Sequence, residues 1–531
     1  MEKTTKQALK LAAGAGAVYL VYRFLYGKKE DLKEDTALDV KVSPEPETEN
    51  AMEKLGIPKV GSGMDLNPDY CGALKRFSEK IDALGTGIGY IDMYGFPTLI
   101  ATKPEYVRKL LAHNVQHALW AGLTEASKSF FGKKVLFVVE GDEWRELRNT
   151  MKSALSKQNV AQMTEDVVNI ANAFSRSLHR GKEVDMALLA GSYHLSAIGK
   201  SAFDFDLNCL GAAKLGPNEI SMSFEFFISE LPRRSLAPDQ SVLGNYEVDN
   251  EDNRKWKTAA DTVRNSIEKV VSKRLRDHLN GVPVRRDLLD SMIEAYDEQL
   301  GRKASEEELM EGLTDNLVEI LFAGYNTNVG TISNALYYLA KNPEYMRMAQ
   351  KEIDSLIPDE VIDESDLGSK IRFDVNKLTT LKNVYYETLR VAPPAPLVAR
   401  LLGKDVQLSP DLTLPKNLPV WFPCEYLQNK NEHWPVFDAS NFNPNRWKSK
   451  NPFTPGAYFP FSSGPRDCIG KNFALLEAIA CLALLLKRFD FAVGDNYELR
   501  PLFNGFGYRP CDGNTMKVGM RLVPTQRRDK E

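Results

Sequence analysis

A mainly α fold with a small β-rich lobe is what this 531-residue chain predicts, and three stretches predict it. Residues 305–342 form one long helical run, and residues 160–302 are mostly helical by pattern, broken at Pro232, Pro238 and Gly244. Residues 88–94 and 98–101 are short apolar runs around Gly95-Phe96-Pro97, a hairpin signal. With 43% hydrophobic and 26% charged residues the chain can bury a sizeable core, and its length alone would allow several domains. A net charge of −4 gives no hint of nucleic-acid binding. The six cysteines, Cys71, Cys209, Cys424, Cys468, Cys481 and Cys511, lack paired spacing, which favours a reducing compartment over a disulfide framework.

Taken in order, residues 11–22 are uncharged, and the apolar character extends over 8–26 if Lys10 and Arg23 snorkel toward the two interfaces. Lys28, Lys29 and Lys33 follow, so the positive-inside tendency leaves the main domain cytoplasmic, although Lys3, Lys6 and Lys10 blur the asymmetry. An organelle transit peptide is the rival, because Glu2 is the only acid before Glu30, but the segment is poor in Arg and Ser. Residues 1–29 are therefore expected to be a membrane anchor or targeting segment. Residues 30–55, acidic with Pro44 and Pro46, are expected to be a solvated linker, and 56–531 the globular domain.

A helix is expected from Pro104, whose ring suits a first helical position. Trp144 and Arg148 stand four residues apart on one helix face, where an indole N–H and a guanidinium make an anion clamp. The bland alternative is an amphipathic surface helix. The aromatics Phe224, Phe226 and Phe227 fit a cavity wall or ordinary core, and core is the safer expectation. Ser305 with Glu308 is a capping-box signature for the long helix, and Pro343 can begin the next. Gly324 at the centre of that helix costs about 1 kcal/mol relative to Ala, so it needs a reason, and close approach to a flat ligand supplies one. Glu387 and Arg390 can pair three residues apart before Pro393 and Pro394 end their helix. Residues 478–486 are too short to span a bilayer and fit a buried helix. The histidines are isolated, and no phosphate-binding glycine loop indicates a fused flavin or nicotinamide domain.

The stretch Phe461-Ser462-Ser463-Gly464-Pro465-Arg466-Asp467-Cys468-Ile469-Gly470 places a single cysteine in a glycine-bracketed loop that opens a helix. Loop amides and the positive helix end would stabilise a thiolate there, and Gly464 and Gly470 would let backbone come close. With no CxxC partner and no nearby His, Cys468 is not a zinc site, which leaves an axial ligand to haem iron or an ordinary buried free thiol.

Its pattern F-x-x-G-x-R-x-C-x-G resembles the haem-ligand loop of the cytochrome P-450 superfamily. Ala323-Gly324-Tyr325-Asn326-Thr327-Asn328 is similar to that family's oxygen-binding helix, A-G-x-[D/E]-T-T. Glu387 and Arg390, within Y-E-T-L-R-V-A-P-P, and Arg446 in Phe442-Asn443-Pro444-Asn445-Arg446-Trp447 resemble its charged structural triad. The resemblance covers residues 56–523. It implies one large domain of cytochrome P-450 fold holding haem b, with Cys468 on the iron. Trp144, Arg148, Arg400 and Arg466 would lie at the propionates and Gly324 at the haem face, while Thr327 and Asn326 would manage protons and water. The activity implied is monooxygenation of a lipophilic compound such as a fatty acid, sterol or terpenoid by O2. Electrons would come from an NADPH-dependent reductase or a ferredoxin-type donor, docked near Arg145, Lys152 and Lys157. An endoplasmic-reticulum membrane anchor with a cytoplasmic catalytic domain is implied, with mitochondrion or plastid as the alternative.

Two departures stand out. Asn326 occupies the usual acidic position. It supports a rival reading, a reductase-independent fatty-acid hydroperoxide isomerase or dehydratase, which Thr327 and the ordinary cysteine loop oppose. Residues 429–434 replace a His-Arg-Asp-like run, leaving His433 a surface or packing role.

Overall fold

Strand pairing begins where the hairpin is expected. Strands β2 (Ile88–Met93) and β3 (Phe96–Ala101) are antiparallel, with Ile88 opposite Ala101 and Met93 opposite Phe96. The computed structural model describes residues 51–66, 70–93, 96–113, 121–210, 218–236, 248–282, 287–299, 305–503, 507–515 and 517–527. The expected N-terminal anchor lies outside the described residues, among which no helix is long and apolar enough to cross a membrane.

Strand β1 (Lys59–Ser62) runs parallel to β2. Two strands from far along the chain, β4 (Leu397–Leu401) and β5 (Pro419–Pro423), complete a five-stranded sheet in the order β1-β2-β3-β5-β4. Ile88, Leu99, Val420 and Phe422 bury one face of it, and Ile91, Ile100 and Trp421 pack on the other with helix α1 (Tyr70–Ala83). Near the C-terminal end, β6 (Phe489–Val493), β7 (Leu499–Phe503), β8 (Tyr508–Asp512) and β9 (Arg521–Gln526) form smaller pairings in which β7 meets β8 and β9 meets β6.

Helices carry the rest. Those that position the site are α2 (Pro104–His113), α3 (Ala121–Phe131), α4 (Gly141–Ala154), α5 (Thr164–Ser177), α6 (Met186–Phe203) and α7 (Glu219–Leu236). They are followed by α8 (Glu251–Leu279), α9 (Glu306–Lys341), α10 (Thr379–Val391) and α11 (Lys471–Arg488). The 36 residues of α9 extend about 54 Å at 1.5 Å per residue, enough to cross the domain. Both halves of its capping box are made: Glu308 N–H donates to Ser305 Oγ at 3.2 Å, and Ser305 N–H donates to Glu308 Oε2 at 3.0 Å. Against it lies α6, apolar all round and started by Asp185, whose carboxylate accepts from Ala187 and Leu188 N–H. A helix with no polar face must be surrounded, and both α6 and residues 478–486 of α11 are. Phe224 and Phe227 are buried among Phe130, Phe131, Phe322 and Trp256, so these aromatics are core, as the safer expectation had it.

The three-residue charge cluster is also built. Glu387, Arg390 and Arg446 have no exposed surface. Arg390 donates to Glu387 at 2.8 and 3.1 Å, Arg446 Nε donates to it at 3.3 Å, and Asn443 N–H and Trp447 Nε1 donate at 2.9 and 3.0 Å. The second positive charge is met by backbone: Arg446 donates to Phe437 O and Asp438 O, and Arg390 to Ala439 O and Asn441 O. Both guanidiniums stand 5.1 Å from the Trp434 ring. His433 next to it is buried, and burial lowers its pKa, in keeping with a packing role.

Candidate active site

Cys468 sits at the end of a tight loop that closes on itself before α11 begins. Ser462 N–H donates to Phe459 O at 2.8 Å, Asp467 N–H to Gly464 O at 3.1 Å, and Cys468 N–H to Phe461 O at 2.9 Å. Gly464 has φ +78°, and a Cβ there would stand 2.0 Å from Leu111 O, so glycine is needed twice over. The close approach that Gly464 permits is to the end of α2.

The thiol of Cys468 is exposed by area, yet enough protein surrounds its sulfur that burial pushes its pKa up. Burial and the carboxylate of Asp467 raise it, while the Gly470 N–H, Arg148 and Lys471 favour the thiolate. A bound cation would complete the thiolate there.

Beside this loop the structure gathers the expected guanidiniums. Arg400, 2% exposed, arrives from β4; Arg466, 5% exposed, comes from the loop itself; Arg148 comes from α4. Arg466 lies 4.2 Å from the Trp144 ring and Arg148 lies 5.6 Å from it, so the indole face carries two cations. Arg466 also pairs with Glu140, while Arg148 donates to Asp467 and so ties α4 to the cysteine loop. The arrangement of Trp144 and Arg148 is thus more committed to protein contacts than a simple clamp. Burial, and the neighbouring cations Arg466 and Arg148, push Arg400 down to about 10; burial and Arg148 push Arg466 down to about 10 as well. Arg400 Nη2 donates to Ser462 Oγ at 2.7 Å and to Arg466 O at 3.2 Å, whereas its buried Nε has no hydrogen-bond partner. Crowded, desolvated cations and an orphaned donor ask for an anion. A group with one cation for the sulfur and carboxylates for these guanidiniums fits such a site, and a metalloporphyrin has both.

The centre of α9 supplies the opposite wall. Ala323 is exposed and Thr327 half-buried, one turn apart on a helix whose other central residues are almost all buried. Thr327 Oγ1 donates to Ala323 O at 2.8 Å, the plain helical back-bond, which leaves its oxygen lone pairs able to accept. Asn326 does not share that surface. It is 2% exposed, and its Nδ2 would lie 2.9 Å from a Cβ on Gly507. The structure therefore separates Asn326 from Thr327, which the sequence reading had grouped.

Gly324 also has a packing reason. A Cβ there would meet His194 of α6 at 2.3 Å, so the missing side chain makes room for an imidazole. His194, wholly buried, holds Glu477 Oε1 of α11 through Nδ1 at 2.8 Å and sits 3.2 Å from Leu321 O through Nε2. Asn328 Nδ2 donates to Glu477 Oε2 at 2.6 Å, and Tyr193 OH donates to Glu477 O at 2.9 Å. This His194–Glu477–Asn328 network links three central helices, and sequence reasoning missed it. The available signal was a polar residue in each of three otherwise apolar runs. Gly324→Ala is expected to destabilise the protein by about 1–3 kcal/mol, because His194 is pinned at both nitrogens, so overpacking exceeds the ~1 kcal/mol gain in helix propensity. Denaturant midpoints of the two proteins check it.

A second buried network joins α7, α9 and β8. Tyr325 OH donates to Glu225 Oε1 at 2.6 Å, and Arg509 Nη2 donates to the same carboxylate at 2.8 and 2.6 Å. Among the described residues no cluster of His, Cys, Asp and Glu could hold a further metal ion.

Comparison with known proteins matches residues 68–510 to the family model described as Cytochrome P450. A Cytokinin hydroxylase of Arabidopsis thaliana is 25% identical over 76% of this chain and 76% of its own. Probable cytochrome P450 6a14 of Drosophila melanogaster is 28% identical over 72% of this chain and 77% of its own, and Cytochrome P450 3A6 of Oryctolagus cuniculus 26% over 74% and 77%.

Proposed function

Because the chain belongs to the cytochrome P450 family, a family of haem-dependent oxidoreductases whose iron takes an axial cysteine thiolate, we propose that it inserts one oxygen atom from O2 into a lipophilic substrate of the fatty acid, sterol or terpenoid class. The observation that carries this reading is the accessible Thr327 hydroxyl on the central helix, in a chain whose cysteine loop is of the ordinary length. Haem, when bound, supplies the activation of dioxygen that no side chain can.

The protein's own part is to bind, orient and exclude water. Cys468 would hold the iron, and Arg148, Arg400 and Arg466, with the Trp144 indole, would receive the propionates. That placement supplies an acceptor for Arg400 Nε and eases the crowding of cations. Thr327 accepts a proton donor at its oxygen while its hydrogen stays on Ala323 O, or rotates to donate; either way it presents a hydroxyl at the accessible part of that helix stripe. The accessible surfaces at Ala323, Thr327 and Cys468 would face one apolar space that limits unproductive loss of activated oxygen.

Electrons would come from an NADPH-dependent reductase or ferredoxin-type donor on the exposed basic surface of Arg145, Lys152 and Lys157, beside the helix that Arg148 ties to the cysteine loop. An N-terminal anchor would place the enzyme on the endoplasmic-reticulum membrane. The rival hydroperoxide isomerase rests on Asn326, whose amide packs at Gly507 away from the accessible stripe, so the reading follows Thr327. Thr327→Ala is expected to raise peroxide release per nicotinamide consumed, by about tenfold if the hydroxyl carries the proton. Unchanged coupling would remove that role.

A further inference from the structure

Glu319 stands four and eight residues before Ala323 and Thr327, on the same stripe of α9. It is 8% exposed, and its carboxylate accepts two backbone N–H groups from far back in the chain, Leu136 at 2.8 Å and Phe137 at 2.6 Å. The same segment is held at its near end as well. Asn316 Nδ2 donates to Lys134 O at 2.8 Å, Asp315 accepts from Lys134 N–H, and Gly132 packs so closely that a Cβ would lie 2.0 Å from the Asp315 carboxylate. At its far end Val139 O accepts from Arg466 at 3.2 Å, and Glu140 pairs with the same guanidinium. Residues 132–140 are thus a strap between the central helix and the guanidinium cluster.

We propose that Glu319 is a positioning residue whose carboxyl group latches this strap to α9, fixing both the wall beside Ala323 and the acceptors of Arg466, and that the latch loosens as the carboxyl ionises. Its two amide bonds favour the charged form, but an ionised carboxylate shut away from water costs more than those bonds return. Burial accordingly pushes Glu319 up to about 8, with Asp315 adding to the rise and Arg466 opposing it.

The sign follows from linkage. With the strap open the carboxylate is solvated and titrates near ~4.3, so closure is favoured below that pH and is lost as pH rises through about 8. The charged groups around it are Asp315 on its own helix, Arg264 of α8 bound to Asp315 at 2.7 Å, Arg466 of the cysteine loop, and Lys134 and Glu140 of the strap. Asp315 titrates against Arg264, so a change confined to Glu319 separates the two.

Hydrogen exchange on the full-chain holoenzyme tests this without reference to the reaction. Protection of the Leu136 and Phe137 amides, corrected for intrinsic chemistry, is expected to fall by about tenfold or more between about pH 6 and pH 9, while amides of α10 stay level. In Glu319→Gln the fall is expected to vanish. A level wild-type profile, an equal fall in α10, or a fall that persists in E319Q would overturn the proposal. The wild-type series alone decides if the variant does not fold.

Discussion

Cys468→Ser is expected to give a protein that folds but whose reduced carbon-monoxide complex lacks the thiolate-type spectrum. The reason is specific to this loop. Its shape is held by backbone, through Cys468 N–H on Phe461 O and Gly464 against Leu111 O, so a hydroxyl in place of the thiol leaves the turn intact. The sulfur itself is irreplaceable. Burial already disfavours its ionisation, and only a soft anion formed on a bound cation overcomes that. Serine, with a far less acidic hydroxyl in the same desolvated position, has no route to the equivalent ligand. Retention of the thiolate spectrum in the variant would remove Cys468 from the iron.

Glu387→Gln is expected to cost about 3–5 kcal/mol, a large share of the ~5–15 kcal/mol that holds a folded protein together. The substitution keeps the shape and removes the carboxylate shared by two guanidiniums with no exposed surface. Arg390 and Arg446 would keep their carbonyl partners but face each other's charge uncompensated. The loss reaches Asn443 N–H and Trp447 Nε1 too, which both donate to Glu387, so the variant should lose its denaturation cooperativity or fail to accumulate. A denaturation midpoint within ~1 kcal/mol of wild type would show the cluster to be passive. Because the effect is on folding, the haem spectrum of any surviving fraction should be normal, which distinguishes it from Cys468→Ser.

What the sequence made legible was local chemistry. The capping box at Ser305 and Glu308, the antiparallel pairing of β2 with β3, and the pairing of Glu387 with Arg390 depend on residues a few positions apart, and all are present. The convergence of Arg400, Arg466, Arg148 and Trp144 came from family resemblance, and the structure brings them together. What went unread shares one physical cause. The contact of Gly324 with His194 was not legible because His194 lies 130 positions earlier, and a helix pattern does not say which foreign side chain fills a missing Cβ. Glu319 went unnoticed because its partners are backbone amides, which carry no side-chain signature. For Cys468 the loop amides and the helix end are local terms that the sequence shows, whereas the burial that opposes them is a property of the whole domain.

The most direct test of the monooxygenase reading supplies the purified holoenzyme with a fatty-acid hydroperoxide and withholds reductase, reduced nicotinamide and any other oxygen donor. The account predicts slow bleaching of the haem without turnover, since Thr327 lies on the accessible stripe and Asn326 does not. Rapid, sustained conversion of the hydroperoxide to a rearranged product would contradict it and make the chain a peroxide isomerase.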